Sequence, residues 1–192
     1  MGYSITWCAV PEGHAEALLA HLKLSPTGEV EEIPESPVSN AKLDTGWRIL
    51  WCNKYAWPLL RANELSEISK NYAVLMCLVE EHVMASSSEL WSGGKREWWI
   101  SHEGENGPKG LSFDGVLPDC FSTIKSQMEK AQLAEGGEEA DVDYIFEIPL
   151  KVAQTIVGFK HDEDCPHMVD GHFSVLSEIG RKKGFLQNLL GR

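Results

Sequence analysis

Two successive glycines, Gly93 and Gly94, stand between two runs of large alternating side chains, and they constrain this chain more than any other feature. A Gly-Gly pair suits a two-residue hairpin loop, whose central residues take positive φ at no steric cost. The surrounding stretch from Cys77 to Gly104, CLVEEHVMASSSELWSGGKREWWISHEG, therefore reads as a strand, a serine-rich bend and a hairpin. It carries three of the seven tryptophans and two of the seven histidines. A two-residue loop sets Ser92 opposite Lys95, Trp91 opposite Arg96, Leu90 opposite Glu97, Glu89 opposite Trp98 and Ser88 opposite Trp99. Alternation then places Trp91, Arg96, Trp98 and His102 on one face. A slip of one residue would exchange the faces. Because Trp and Arg are enriched at binding hot spots, Trp91, Arg96 and Trp98 are the expected recognition surface. The plainer expectation is that the tryptophans cover the core, with Arg96 packed over them.

The rest of the chain reads as α+β. Tyr3 to Val10 and Gly46 to Asn53 alternate like strands, and Ala73 to Val79 is a continuous apolar run fit for a buried strand. Helical spacing predicts a helix over His14 to Leu24, a short one after an Asn63 N-cap, and one from Pro118 to about Glu135 that ends at Gly136-Gly137. Val142, Tyr144 and Phe146 alternate like a strand, and Pro149 opens a helix that stops at Gly158. Ser25 to Thr45, with three prolines and five acids, reads as a long loop. The expected architecture is one domain over residues 1–164: a mixed or mainly antiparallel sheet, the tryptophan hairpin, and about four helices packed on it. Residues 165–192 are expected to be a basic and apolar tail or a docked helix, with helical spacing from Phe173 to Leu190.

Charge narrows the partners. The formal net charge is −12, yet Arg181, Lys182, Lys183 and Arg192 make the last twelve residues +4, so the rest carries −16. Such a body repels nucleic-acid phosphate and attracts a basic protein. No run of apolar residues is long enough for a transmembrane helix. The opening MGYSITWCAVPEGH lacks the basic, apolar and small-residue regions of a signal peptide, so a cytoplasmic protein is expected. Five dispersed cysteines (8, 52, 77, 120 and 165) suggest reduced thiols rather than a disulfide framework.

Two constellations have chemistry-bearing residues. Glu80 and His82 are positioned to converge at a strand end, with Glu81 on the other side. A hairpin that folds back would add His102, and a His–carboxylate pair can act as a general base. His161, Asp162, Asp164, Cys165 and His167 form the densest set of ligand-type side chains, suited to a divalent metal although their spacing fits no zinc signature. For both sets the competing reading is a solvated polar segment, and no cofactor is predicted.

The segments VEEHVMASSSELWSGGKREWWISHEG, LSFDGVLP and DVDYIFEIPLKVAQTIVGFKHDED, together with the N-terminal SITWCAV and ALLAHLKLSPTGE, resemble a family of small bacterial proteins with no established activity. The resemblance covers about residues 4–164. It implies a bacterial, cytosolic, single-domain protein and carries over no functional residue. The leading expectation is a protein-interaction module of the inhibitor or immunity type, acting on a basic partner. The alternative is a hydrolase, metal-dependent or using His and Glu.

Overall fold

The structure is a computed structural model and describes residues 2–179. Nine strands form one sheet, antiparallel at every pairing, in the order β2-β9-β3-β4-β1-β5-β6-β7-β8. They are β1 (Ser4–Pro11), β2 (Leu24–Glu31), β3 (Val38–Lys42), β4 (Trp47–Cys52), β5 (Val74–Glu80), β6 (Ala85–Ser92), β7 (Lys95–Glu103), β8 (Leu111–Gly115) and β9 (Phe173–Glu178). The helices are α1 (Ala15–His21), α2 (Ala62–Ile68), α3 (Cys120–Ala134) and α4 (Glu147–Val157). The fold is α+β and forms a single domain. Among the described residues no helix is long and apolar enough to cross a membrane.

Both faces of the sheet are covered, which explains why the central strands look apolar on both sides. Trp7, Ile49, Trp51, Leu75 and Cys77 turn one way and pack with Phe121 of α3 and Ile148 and Val152 of α4. Their neighbours Cys8, Leu50, Val74 and Met76 turn the other way and pack with Leu18 of α1 and Leu65 and Ile68 of α2. The pleat alone produces this division. Burial pushes the Cys8 and Cys52 thiols up to about 12, so both behave as small apolar side chains.

Several expectations are corrected. Ser25 to Thr45 is not a loop but contains β2 and β3. The edge strand β2 is exposed along most of its length and so has no burial period. In β3, Ser39 and Asn40 are buried. Asn40 is held by Arg48, which donates from Nη1 at 2.8 Å, and donates in turn to the Ser174 carbonyl. Residues 142–146 do not form a strand. Asp143 accepts from the amides of Ile145 and Phe146 and starts a 3-10 turn that runs into α4, two residues before Pro149. The N-cap of α2 is Arg61 rather than Asn63. The domain does not end at residue 164. Phe173–Glu178 is β9, inserted between β2 and β3, where Phe173 and Leu176 bury toward opposite faces. The basic stretch 181–192 lies outside the described residues.

The hairpin keeps its predicted turn and its first two pairs, Ser92 with Lys95 and Trp91 with Arg96. It then breaks register, with Leu90 opposite Trp98, Glu89 opposite Trp99 and Ser88 opposite Ile100. Glu97 is the extra residue, a β-bulge. Its carbonyl accepts from Val116 N at 3.1 Å, beyond the end of β8. Gly115 makes this possible. Its φ is +92°, and a Cβ there would lie 2.1 Å from the Glu97 carbonyl oxygen. Replacing Gly115 with Ala should cost roughly 2 kcal/mol, from positive φ and the backbone clash together. Amide exchange should locate the loss in β7 and β8; unchanged protection there would overturn the assignment.

Candidate functional site

The tryptophan surface does not form. The bulge sends Trp91 toward α1 and α2 and Trp98 toward α3 and α4, and they are only 8 % and 3 % exposed. Arg96 lies over Trp99, at 5.4 Å from the ring, and pairs with Glu89 at 3.2 Å. Trp91 and Arg96 stay on one face, Trp98 turns to the other and both tryptophans are buried, so the reading of the three as one binding surface is corrected.

The Glu80, His82 and His102 grouping also separates. Glu80 accepts from the Ser4 hydroxyl and pairs with exposed His82 at 2.7 Å. The Ser4 hydrogen bond above all lowers the Glu80 pKa. His102 is on the opposite face, with Val79 and Ser86 across the register. It is 1 % exposed, and its Nε2 lies 2.6 Å from Asp143 Oδ2. This pair fixes a loop: Asp143 caps the turn before α4, and buried Gln132 of α3 donates to the carbonyls of Gly137 and Val142 while accepting from Tyr144 N.

The metal set does not converge on one point, although His161, Asp162, Asp164 and Cys165 line one cleft. His161 turns inward to Glu81, Asp162 holds Lys160, Cys165 Sγ faces the Gly158 carbonyl, and His167 pairs with Asp44 at 2.9 Å. Among the described residues no group of three His, Cys, Asp or Glu side chains is placed to hold a metal. Burial also raises the Cys165 thiol, which disfavours the thiolate a metal needs.

The structure instead gives His161 and Asp162 other partners, and joins to them Lys160, Glu163, Glu81 and Tyr3. α4 ends at Gly158, whose φ is +84°. A Cβ there would meet Thr45 Cγ2 at 2.9 Å, so the glycine both stops the helix and lets the chain turn across the sheet. The next three side chains are buried. Phe159 enters the core, and Lys160, 4 % exposed, is caged by carboxylates. Its Nζ lies 2.6 Å from Asp162, 3.3 Å from Glu147 and 3.4 Å from Glu163. Burial alone would lower its pKa, but the hydrogen bond to Asp162 and the charge of Glu147 outweigh this and hold it above the ordinary lysine value. Burial would raise Asp162, yet the hydrogen bond from Lys160 wins and lowers it. Glu163 is lowered first by the hydrogen bond from Gln154, then by Lys160.

His161 is the third. Its Nε2 lies 3.2 Å from Glu81 Oε1, and Glu81 Oε2 accepts from Tyr3 N at 2.8 Å. The Tyr3 ring meets the imidazole edge-on at 4.9 Å. His161 and Glu81 thus form a wall between two clefts. The first, about 790 Å³, has apolar sides from Met84, Met128, Val142 and Phe146. Glu81, Asp143, Glu147 and Glu163 line it against Lys151 and the caged Lys160. The second, about 260 Å³, opens over Tyr3, Trp51, Phe159 and Phe173.

None of this was marked by a local motif. Glu81 and His161 are 80 residues apart, and His102 and Asp143 are 41 apart. The one available signal was a lysine just after a helix-ending glycine and just before an acidic run, in GFKHDED.

Comparison with protein families, with curated proteins and with solved structures finds no match to this chain.

Proposed function

We propose that this protein is an acidic binding module that docks a basic protein partner and seats one of the partner's Arg or Lys side chains in the first cleft. The observation that carries this reading is the cleft itself. Its 790 Å³ falls within the range of ordinary binding sites, about 300–1,000 Å³. Four carboxylates line it against two lysines; Glu147 and Glu163 are shared with Lys160, and the acids still outnumber the bases. Met84 and Met128 give adaptable apolar walls suited to the methylene stem of a long cationic side chain. The charge of −12 would speed the encounter, as it does for acidic inhibitors of basic enzymes.

The test places a cation inside the cleft. Ala131 lies half-buried in the cleft wall on α3, whereas Ala17 is exposed on α1, on the other side of the sheet. Ala131→Arg should weaken capture of a basic partner at least about tenfold. Ala17→Arg should leave capture unchanged, and both variants should keep the wild-type melting temperature. Capture should also fall as salt rises from about 50 to about 300 mM. Equal capture by the two variants, or indifference to salt, would remove the proposal.

A further inference from the structure

The second cleft concerns a different ligand and stands independently of the first. Its floor is a set of four aromatic rings. Trp51 lies at the centre, with ring centroids 6.0 Å from Tyr3, 6.3 Å from Phe159 and 6.2 Å from Phe173, all steeply inclined. Phe159 and Phe173 meet edge-on at 6.3 Å. Such rings attract a cation through their negative faces. Glu32, Asp162, Glu163 and Asp164 stand around the opening, and among the described residues no lysine or arginine lines it. Lys160 already draws on Asp162 and Glu163, so Glu32 and Asp164 matter most for added charge.

The decisive observation is His161. Its side chain is 1 % exposed, yet Nδ1 has no hydrogen-bond partner. Nε2 donates to Glu81, which lines the first cleft and not the second. In a neutral imidazole that donates from Nε2, Nδ1 is an acceptor. It points away from Glu81, toward Asp162, whose Oδ1 is 3.6 Å away and lines the second cleft. A buried acceptor without a donor is costly, by about 1–3 kcal/mol, and such groups are normally satisfied.

These requirements together select a ligand class. An anion is repelled by the rim. A neutral alcohol can donate to Nδ1 but leaves the carboxylates and rings unused. A quaternary ammonium suits the rings and carboxylates but has no N–H. We propose that the cleft binds a small primary or secondary ammonium on an apolar body, with one N–H donated to His161 Nδ1, the charge facing the carboxylates and the carbon body against the half-buried Tyr3 ring. At 260 Å³ the cleft takes only a small molecule.

The probes are phenethylamine and isopentylamine, with phenethyl alcohol and trimethyl(phenethyl)ammonium as controls, titrated into the full chain by calorimetry. The histidine ring nitrogens are followed by long-range ¹H–¹⁵N spectra. At least one primary amine should bind saturably, one to one, and move the His161 Nδ1 resonance. The alcohol and the trimethylated compound should bind at least about tenfold more weakly. The surface variant Glu32→Gln with Asp164→Asn should weaken the amine by about three- to tenfold with no change in melting temperature. Ala131→Arg should leave amine binding unchanged, so failure in either cleft is read separately. Absence of saturable binding by both amines up to about 10 mM, the weak end of specific affinity, would overturn the site. So would an unmoved Nδ1 resonance, or equal binding of either control.

Discussion

Lys160→Met should lower stability by about 3 kcal/mol at neutral pH, more than an ordinary charge deletion. The ammonium is almost wholly buried and faces three carboxylates, which are 26 %, 35 % and 46 % exposed on Glu147, Asp162 and Glu163. Removing one partner of a buried ion pair typically costs about 3–5 kcal/mol, because the opposite charge is left uncompensated. Here the partial exposure of the carboxylates brings the figure toward the lower end. Methionine preserves most of the volume, so the loss reports charge rather than a cavity. Asp162 and Glu163 have depressed pKa values, so their contribution is present above the unfolded carboxylate range, about 4, and is lost as pH falls through the folded values. The gap between wild type and variant should therefore narrow on acidification. Lys160 is raised, so its share persists through the ordinary lysine range and fades only as pH rises through its folded pKa. Urea unfolding of both proteins between about pH 3 and 7 tests this. Equal stability at neutral pH, or a gap that widens in acid, would refute the assigned role.

The second large effect belongs to Trp51. Trp51→Ala should cost about 4 kcal/mol, as large aromatic truncations in cores do. For a chain of this size that is a fall of about 10 °C in melting temperature. The side chain is 1 % exposed on a central strand and touches three other rings. It also has a polar role. Its Nε1 donates to Asn53 Oδ1 at 2.8 Å, and Asn53 donates onward to the carbonyls of Pro34 and Ser36. Trp51 thus orders the segment carrying Glu32 to Pro34, the rim of the amine cleft. Trp51→Phe keeps apolar contact but deletes the donor, and should cost about 1–2 kcal/mol. It should loosen amide protection over residues 32–37 more than in β4. A uniform loss across the sheet in that variant would argue against the Asn53 relay.

What the sequence revealed and concealed follows from where each constraint lies. The strands at Tyr3 to Val10, Gly46 to Asn53 and Ala73 to Val79 were readable because burial stamps apolar residues on the chain itself. Gly158 marked a helix end and Gly93-Gly94 a turn through local backbone chemistry, whereas Pro118, expected as the first helical residue, precedes the Asp119 N-cap of α3. The bulge at Glu97 was not readable, because it answers to Gly115 on a third strand. β9 was misread as helical because Phe173 and Leu176, three residues apart, bury on opposite sheet faces, mimicking a helical step. Asp143 offered a cap signal, but the alternation of Val142, Tyr144 and Phe146 masked it. For the site, sequence proximity misled. His161, Asp162, Cys165 and His167 are near in the chain but each takes a different partner, whereas Glu81, His161 and Tyr3 converge from three distant segments.

The two outermost strands have a bearing on how this molecule behaves in company. An open sheet of nine strands presents two backbone ladders on which another chain can template itself. Along β2, Pro26 withholds an amide, the pairing with β9 slips between Pro26 and Val30, and Glu29 and Glu31 bring negative charge. Along β8 only five residues are extended, and they finish at Asp114 and the twisted Gly115. Irregularity and like charge at both borders disfavour edge-to-edge growth between copies.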